Sequence, residues 1–417
     1  MSKFGKPHIV FVPNYFYPDV ASVGQLFTEL CLHLQHDFNI TVVAAQPNYA
    51  GEELGRTKRV EHDRLENIRI IRIKLPKVNK QSKLSRLRYI ATYFFYSVWV
   101  VIRQKNVDVV YSISQPPILG GLIGTIGKWA KRSKHIYNIQ DFNPEQAQAV
   151  GFMTNKLILR AAKWLDMLNC KYADHIVTVG SDMQETLLKR FVAERAITDN
   201  SVIHNWTDEK DIVPLPPTHP GVRAFKERYG LEGKFIVMYS GNVGLFYDLE
   251  NLIHITEEFK GEAGLAFVFI GEGAVKKQMQ EYVTLRNIPN VHFLPYQAKE
   301  QLKYSLNAAD VHLVVNQKGI KGISVPSKIY GVMAAGKPIL GVLERGSEAC
   351  RMIEESRCGV VVEPQRYEEI AEQIGRLYRE SPAELAAAGL RGRAYLEQHL
   401  RKDISLDKYR HLLQSIS

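Results

Sequence analysis

The sequence SVPSKIYGVMAAGKPI, residues 324–339, places a Pro-Ser-Lys triplet directly before an apolar run. The run is typical of a buried helix that ends at Gly336, just ahead of Pro338. Lys328 would then stand at the start of a helix, which leaves two interpretations open. In the first, Ser327 caps the helix and Lys328 is solvated. In the second, the lysine and the unpaired N–H groups of the first helical turn bind an anion.

The composition is that of an ordinary soluble protein of 417 residues, 45% hydrophobic and 24% charged, which is long enough for two or three domains. The net charge of +10 favours an acidic partner, whether nucleic acid, anionic lipid or a phosphorylated small molecule. The four cysteines form no CxxC pair, which argues against a zinc site and a disulfide framework. The first apolar run is too short for a signal peptide, so we expect a cytoplasmic protein.

Short apolar runs alternate with helical patterns along most of the chain, as expected of parallel sheets covered on both faces. The first set is HIVFV near residue 8, TVVAA near 41, IRIIRI near 68, VDVVYSI near 107, HIYNI near 135 and HIVTV near 175. The second set is FIVMYSGN near 235, FVFIGEG near 267, VHFLPY near 291, VHLVVN near 311, PILGVL near 338 and GVVVEP near 359. Clustered prolines in DIVPLPPTHPG, residues 211–221, separate the two sets.

This pattern predicts an α/β protein with two Rossmann-like, doubly wound parallel-sheet domains that face each other across a cleft. We place the first domain at residues 1–207 and the second at residues 208–395. The charged segment 396–417 is expected to form a helix that packs back toward the first domain. Because open α/β sheets bind ligands at the carboxyl ends of their strands, candidate site residues should lie in the loops that follow the strands.

Three loops after strands of the second domain are rich in glycine: SGNVG at 240–244, GEG at 271–273 and KGIKG at 318–322. Glycine lets a backbone approach a phosphate closely and turn its N–H groups toward it. A single loop of this kind can be explained by turn geometry alone. Three such loops on one sheet favour a phosphate-binding site at the edge where the strands end. None matches the P-loop or the dinucleotide-binding pattern, and the loops contain no DxD triplet for a divalent metal.

These motifs, with PNYFYPDVASVGQLFTELCLHL at 13–34, GSDMQE at 180–185 and IHNW at 203–206, resemble the GT-B superfamily. Within it the chain is similar to family-four retaining glycosyltransferases, especially bacterial enzymes of surface-polysaccharide and O-antigen assembly. The resemblance runs from about residue 8 to 400. It implies transfer of a sugar from a nucleotide diphosphate sugar with retention of configuration and without a metal or another cofactor. It also implies that the first domain binds the acceptor and the second domain binds the donor.

The resemblance places the donor-binding residues in loops of the second domain. They are Gly241, Asn242 and Gly244 near the diphosphate, Gly271 and Gly273 near the nucleotide, and Gly322, Ser327 and Lys328 in the third loop and at the helix start. Lys328 is also the candidate catalytic cation, because an ammonium group can stabilise the charge on a leaving diphosphate in place of a metal.

The chain departs from the family pattern in the first glycine loop. Many members carry an arginine directly after the first glycine and a lysine a few residues later. This chain has Asn242 in the first place and, depending on the alignment, Tyr247 or Asp248 in the second. We therefore expect the phosphate charge to rest mainly on Lys328. The further candidate cations are Lys318 and Lys321.

In the first domain, IQDFNPEQAQAVG follows the apolar run near residue 135 and contains Asp141 and Glu145. Acidic residues are common in turns and first helical turns, so a structural role is one interpretation of both. The resemblance puts a contact to the donor sugar at this strand end, and on that basis both are candidate catalytic residues. Gly24 would let its helix approach the diphosphate, with simple packing as the alternative.

Residues 74–105, KLPKVNKQSKLSRLRYIATYFFYSVWVVIRQK, combine basic residues with an uncharged aromatic run. A buried helix of the first domain is one interpretation. The other is attachment to an anionic membrane surface, because aromatic rings favour the interface and lysine and arginine favour anionic headgroups. The residues assigned to this contact are Lys80, Lys83, Arg86, Arg88 and Trp99. We expect a peripheral protein on the inner face of the cytoplasmic membrane.

The predicted function is transfer of a sugar, such as an N-acetylhexosamine, from a UDP-linked donor to a lipid-linked or saccharide acceptor in polysaccharide biosynthesis. The donor sugar stays open, because two glutamates common in the family correspond here to Ile323 and Gly331. One alternative is a UDP-GlcNAc-type epimerase of the same fold, which would need clear carboxylate acid and base residues. Another is a basic nucleic-acid-binding protein, but no RNA-binding motif is present, so we expect no nucleic-acid partner.

Overall fold

The structure is a computed structural model that describes residues 5–19, 21–47, 58–77, 82–151, 153–191 and 197–417. The chain divides into two compact units. Unit 1 comprises Met1–Gln148, Met153–Ile203 and Leu406–Ser417, and unit 2 comprises Ala149–Phe152 and His204–Ser405. The main division therefore follows Ile203, whereas the sequence placed it after residue 207.

Unit 1 is built on an eight-stranded sheet in the described part of the chain. Its strands are β1 (His8–Val12), β2 (Asn39–Ala45), β3 (Val60–Leu65), β4 (Ile68–Ile73), β5 (Val109–Ile113), β6 (Lys134–Ile139), β7 (His175–Thr178) and β8 (Asn200–Val202). They lie in the order β3-β4-β2-β1-β5-β6-β7-β8. All six predicted runs are strands, and their largely apolar side chains are buried on both faces.

Among its described strands, the first sheet has one antiparallel strand, at its edge. Strand β3, VEHDRL, pairs antiparallel with β4. Its side chains are only partly buried or exposed, so it lacks the continuous apolar run that identified the other strands. An antiparallel edge strand can keep one face in water and therefore tolerates polar residues.

Six helices lie before residue 204 in the described part of the chain. They are α1 (Ser22–Leu34), α2 (Lys83–Arg103), α3 (Leu119–Lys131), α4 (Glu145–Ala149), α5 (Lys156–Tyr172) and α6 (Ser181–Arg190). Side chains cap two of them: Ser82 accepts from the N–H of Ser85 at the start of α2, and Asn155 accepts from Leu157 and Ile158 at the start of α5. Helix α3 contacts both α2 and α5, so these three lie side by side on one face of the sheet.

Unit 2 is built on a six-stranded, fully parallel sheet in the order β11-β10-β9-β12-β13-β14. Its strands are β9 (Phe235–Ser240), β10 (Leu265–Ile270), β11 (Val291–Leu294), β12 (Val311–Val315), β13 (Ile339–Val342) and β14 (Gly359–Val362). All six predicted runs are strands here too. The strand order reverses between β9 and β12, whose ladder pairs only Val311 with Val237 and His312 with Met238. The carboxyl ends of these two strands are therefore not paired with each other at the switch point, where open α/β sheets bind ligands.

Nine further α-helices follow residue 204 among the described residues, and all but most of α15 belong to unit 2. They are α7 (Pro220–Arg228), α8 (Leu249–Leu252), α9 (Lys276–Arg286), α10 (Lys299–Ala308), α11 (Lys328–Ala334), α12 (Glu348–Ser356), α13 (Tyr367–Tyr378), α14 (Pro382–His399) and α15 (Lys402–Ile416). The segment 396–417, predicted as one helix, is the end of α14 followed by α15, since α14 ends at His399. Most of α15 belongs to unit 1, where the Tyr409 hydroxyl accepts a hydrogen bond of 2.7 Å from Asn138.

Candidate functional site

Lys328 is the first residue of α11, at the switch point of the second sheet. Its ammonium nitrogen lies 3.6 Å from the centre of the Tyr247 ring and 4.8 Å from that of Tyr239. The methylene groups of its side chain pack against Gly241, where an added Cβ would lie only 2.6 Å from Lys328 Cε. The side chain of Ser327 makes no capping hydrogen bond. The interpretation in which Ser327 caps the helix is therefore wrong, and Lys328 is half-buried.

The charge of Lys328 has no counter-ion in the described part of the protein. Burial lowers the pKa of Lys328 from 10.5 to about 7, and no carboxylate offsets that effect. Two aromatic faces stabilise the ammonium group by cation–π attraction, worth about 0.5–2 kcal/mol in proteins. A desolvated ammonium without an acidic partner is a strong candidate site for an anionic ligand.

The first two glycine loops meet backbone to backbone. Gly241 donates its N–H to Ile270 O and Val243 donates to Glu272 O, each at 2.9 Å. Gly241 and Gly271 have φ values of +145° and +141°, which favour glycine. A Cβ on Gly271 would lie 1.9 Å from Gly241 O. Loops 241–244 and 271–273 therefore form one hydrogen-bonded unit beside Lys328, here called the glycine ledge.

Alternate N–H groups of the first loop are left for a ligand. The N–H groups of Gly241 and Val243 are used by the second loop. Those of Asn242 and Gly244 donate to no acceptor within the described residues. Backbone N–H groups without an acceptor can bind an anion, so this loop suits a phosphate.

The residue before the third glycine loop bonds to the chain just after the first loop, and the third loop itself bonds to residues after β13. Gln317 N donates to Phe246 O at 2.8 Å. The N–H groups of Gly319 and Lys321 both donate to Glu344 Oε2 at 2.9 Å, and Lys321 Nζ donates to Arg345 O at 2.7 Å. Lys321 is thus held away from the aromatic enclosure of Lys328, although both follow β12. Gly322 has a φ of +71° within this loop.

Lys318 lines a separate polar cavity of about 580 Å³ at the ends of β13 and β14. Its other lining residues include Arg345, Glu363, Gln365 and Arg366. Arg345 N donates to Glu363 Oε1 at 3.0 Å, which fixes the cavity wall. The predicted cations therefore lie in two different places: Lys328 packs against the glycine ledge, and Lys318 lines this cavity.

Three site residues have no clear signal in the sequence. Tyr239 and Tyr247 enclose Lys328, and Tyr247 occupies one of the two places where the family pattern has a lysine. The other place, Asp248, is instead bonded to the Tyr367 hydroxyl at 2.6 Å. Lys276 is the third, since its Nζ donates to Gly271 O at 2.8 Å and to Glu272 Oε1 at 2.7 Å. It adds a second cation to the ledge.

In unit 1, Asp141 follows β6 and is positioned by its neighbours. Its N–H donates to Ser114 Oγ at 3.2 Å, and its Oδ1 accepts from Gln146 Nε2 at 3.0 Å. Ser114 follows β5, so Asp141 lies at the carboxyl end of the sheet. Gly24 in α1 is packed tightly, since a Cβ there would lie 3.2 Å from Tyr15 Cβ.

Glu145 forms an ion pair with Arg190. Both of its carboxylate oxygens accept from Arg190 at 2.9 Å. The other arm of Arg190 bonds Asp166 at 2.5 Å, and its guanidinium lies 4.4 Å from the centre of the Phe142 ring. Asp166 in turn accepts from the Tyr137 hydroxyl at 2.9 Å. These contacts favour a structural role for Glu145, which anchors the segment that carries Asp141.

Within the segment 74–105, residues Lys83–Arg103 form α2, which has both buried and exposed side chains. Tyr93, Ser97, Val100 and Val101 are buried, while Trp99 is 44% exposed. The exposed Arg86 and Arg88 lie in its first two turns. Lys80 and the side chain of Lys83 lie outside the described residues. No helix in the described part of the chain is long and apolar enough to cross a bilayer.

The described residues contain no group of three histidine, cysteine, aspartate or glutamate side chains placed to hold a metal ion.

Comparison with known proteins finds a family match within the second unit and two relatives of the chain. Residues 222–391 match the family described as Glycosyl transferases group 1. The chain is 29% identical to a probable glycosyltransferase, WbjE, of Pseudomonas aeruginosa over 338 residues, or 81% of this chain and 82% of that protein. It is 23% identical to the putative colanic acid biosynthesis glycosyl transferase WcaI of Escherichia coli K12 over 380 residues, or 88% and 90% of the two chains.

The fold has solved counterparts. Anabaena HepE, solved in complex with UDP and glucose, is 15% identical and superposes with a TM-score of 0.73 over 98% of this chain and all of that one. The predicted GT-B fold is confirmed by this likeness and by the two parallel-sheet units.

Proposed function

We propose that the protein transfers a sugar from a UDP-linked donor with retention of anomeric configuration. The match of residues 222–391 to the Glycosyl transferases group 1 family and the GT-B fold support this proposal. The acceptor is a lipid-linked or free saccharide in polysaccharide biosynthesis. The name of the relative WcaI, which refers to colanic acid biosynthesis, supports this pathway class. The complex of HepE with UDP and glucose supports the uridine nucleotide.

The observation that carries the proposal is the half-buried ammonium group of Lys328, which has no counter-ion in the described part of the chain and lies beside the glycine ledge. A diphosphate would supply the missing negative charge. The N–H groups of Asn242 and Gly244 would donate to its oxygens, and Gly241 would let it approach the backbone. Gly271 and Gly273 would border the nucleotide from the other side of the ledge.

In the reaction, the bond between the sugar carbon and the diphosphate breaks and negative charge accumulates on the leaving phosphate. Lys328 stabilises that charge from a desolvated position, where electrostatic attraction is stronger than in water. No divalent ion is needed for this step in the proposal. Asp141 contacts the donor sugar and positions it, while Glu145 keeps the Asp141 segment in place through Arg190.

We also propose that residues 74–105 attach the protein to the cytoplasmic face of an anionic membrane, close to a lipid-linked acceptor. The exposed Arg86, Arg88 and Trp99 of α2 support this attachment. A lipid-linked acceptor lies at the same surface, so attachment would raise its effective concentration.

A panel of nucleotide sugars tests the reaction. Thermal shift should show stabilisation by UDP and UDP-sugars and little effect of GDP or CMP derivatives. Released UDP should rise on adding acceptor and should be matched by glycosylated acceptor. Release of free sugar and UDP without acceptor would favour the epimerase-like alternative, and stabilisation by no nucleotide would contradict the proposal.

A further inference from the structure

Helices α2, α3 and α5 form a continuous surface on one side of the unit 1 sheet, here called the three-helix face. Lys131 Nζ on α3 donates to Ile102 O on α2 at 3.1 Å. Lys128 Nζ on α3 donates to Tyr172 O on α5 at 2.9 Å, and the Trp129 ring lies 5.1 Å from that of Tyr172. These contacts tie the ends of the three helices together, so their outer sides form one face.

Most of the net charge of the protein lies on these helices. Their sequences contain ten lysines and arginines and a single acidic residue, Asp166, which gives +9 against +10 for the whole chain. Asp166 is 2% exposed and bonded to Arg190, so it does not reduce the positive charge of the outer side. Lys128 also pairs with Asp174, just after α5, at 2.8 Å. The excess positive charge that remains on this face attracts an anionic surface.

The same face exposes large apolar side chains. Three of the four tryptophans of the chain, Trp99, Trp129 and Trp164, are 44–64% exposed on it. Exposed aliphatic and aromatic side chains accompany them on α2 and α5. They are Leu84, Leu87, Phe95, Ile102, Leu157 and Ile158.

The exposed residues follow helical stripes opposite the buried ones. On α2, Leu84, Leu87, Phe95 and Ile102 lie on the side away from the buried Tyr93. On α5, Leu157 and Trp164 are seven residues apart on one side, with the exposed Arg160 and Lys163 beside them. Both helices are therefore apolar on an outer side that the sheet does not cover.

We propose that the three-helix face, with α5 as its second line of contact, docks on an anionic lipid bilayer. This inference rests on the proposed membrane attachment, and extends it from residues 74–105 to α3 and α5, which that segment does not include. Tryptophans and leucines mixed with lysine and arginine suit the boundary between headgroups and acyl chains. Two lines of contact on rigidly packed helices would also fix the orientation of unit 1 at the surface.

Vesicle partitioning of the full-length protein tests the role of α5. Wild type should bind vesicles of phosphatidylglycerol and phosphatidylcholine and not vesicles of phosphatidylcholine alone. Arg160→Glu with Lys163→Glu should weaken this binding at least about 25-fold, from about fivefold for each lost basic residue. Leu157→Gln with Trp164→Gln should remove the binding that remains at high salt, where charge attraction is screened.

The matched control is Lys277→Glu with Arg286→Glu, which makes the same charge change on α9 of unit 2. This variant should bind the vesicles like wild type. UDP binding and the circular dichroism spectrum should stay unchanged in every variant, which separates membrane docking from the donor site and from folding.

Normal vesicle binding by both α5 variants, with loss in Arg86→Glu/Arg88→Glu, would overturn the three-helix face and leave attachment by α2 alone. No binding by wild type would overturn both, while UDP binding would still report on the proposed sugar transfer. Equal losses in the control and α5 charge variants would show a nonspecific charge effect and also overturn the inference.

Discussion

Raising the pH should weaken nucleotide binding through Lys328. Burial lowers the pKa of this lysine to about 7, so in the free protein about half of it is protonated at pH 7 and about one part in thirty at pH 8.5. A bound diphosphate favours the protonated form and raises the pKa of the lysine. The affinity contributed by the ammonium group is therefore full well below pH 7 and is lost as the pH rises through and above 7.

The expected magnitude follows from these fractions. If Lys328 stays protonated in the complex, UDP should bind about 15-fold more weakly at pH 8.5 than at pH 7. The terminal phosphate of UDP, with a pKa near 6, is largely ionised at both values and adds little to the change. Isothermal titration calorimetry at both pH values measures the ratio, and buffers of different ionisation enthalpy would also detect the proton taken up on binding.

Lys328→Arg is the matched control, because a guanidinium stays charged throughout this range. Its UDP affinity should vary little between pH 7 and pH 8.5, whatever its absolute value. An equal pH dependence in wild type and Lys328→Arg would refute the assignment of the titrating group to Lys328. A flat dependence in wild type would refute the lowered pKa.

The remaining predictions concern Tyr247, the effect of removing divalent metal ions, and Asp141. Tyr247→Leu should weaken UDP binding by up to about 30-fold, because it removes a cation–π contact worth up to about 2 kcal/mol. The affinity of Tyr247→Phe for UDP should stay within about twofold of wild type. Equal losses in the two variants would assign the effect to the hydroxyl group. Turnover should persist in EDTA, and full loss with rescue by Mg²⁺ or Mn²⁺ would show that a metal replaces Lys328 in the proposed step. Asp141→Asn should lower kcat more than UDP affinity, and a parallel fall in both would indicate a structural role.

Most of the fold could be predicted because its strands are buried on both faces. All twelve apolar runs are strands, and their alternation with helices sufficed for two parallel sheets. Strand β3 could not be found in this way, because its polar residues are compatible with a loop and only its pairing with β4 makes it a strand. The end of α14 at His399 lacks a glycine or proline that would mark it.

The candidate site could be predicted only in part, since contacts between distant loops carry its chemistry. The Ser-Lys pair and the glycine loops have a sequence signature, and the structure brings Lys328 against Gly241. The aromatic enclosure has none, because Tyr239 and Tyr247 are recognisable as partners only when β9 lies beside α11. Glu145 is a similar case, since its partner Arg190 lies 45 residues later in the chain.

The central claim is that Lys328 stabilises the leaving diphosphate, and turnover of Lys328→Ala tests it most directly. The rate should be followed as UDP released and glycosylated acceptor formed, with saturating donor and with circular dichroism to confirm the fold. The account predicts a loss of kcat by a factor of hundreds, since one such stabilising group is worth roughly 3–4 kcal/mol in a transition state. A folded Lys328→Ala protein that retains near-normal turnover would contradict it.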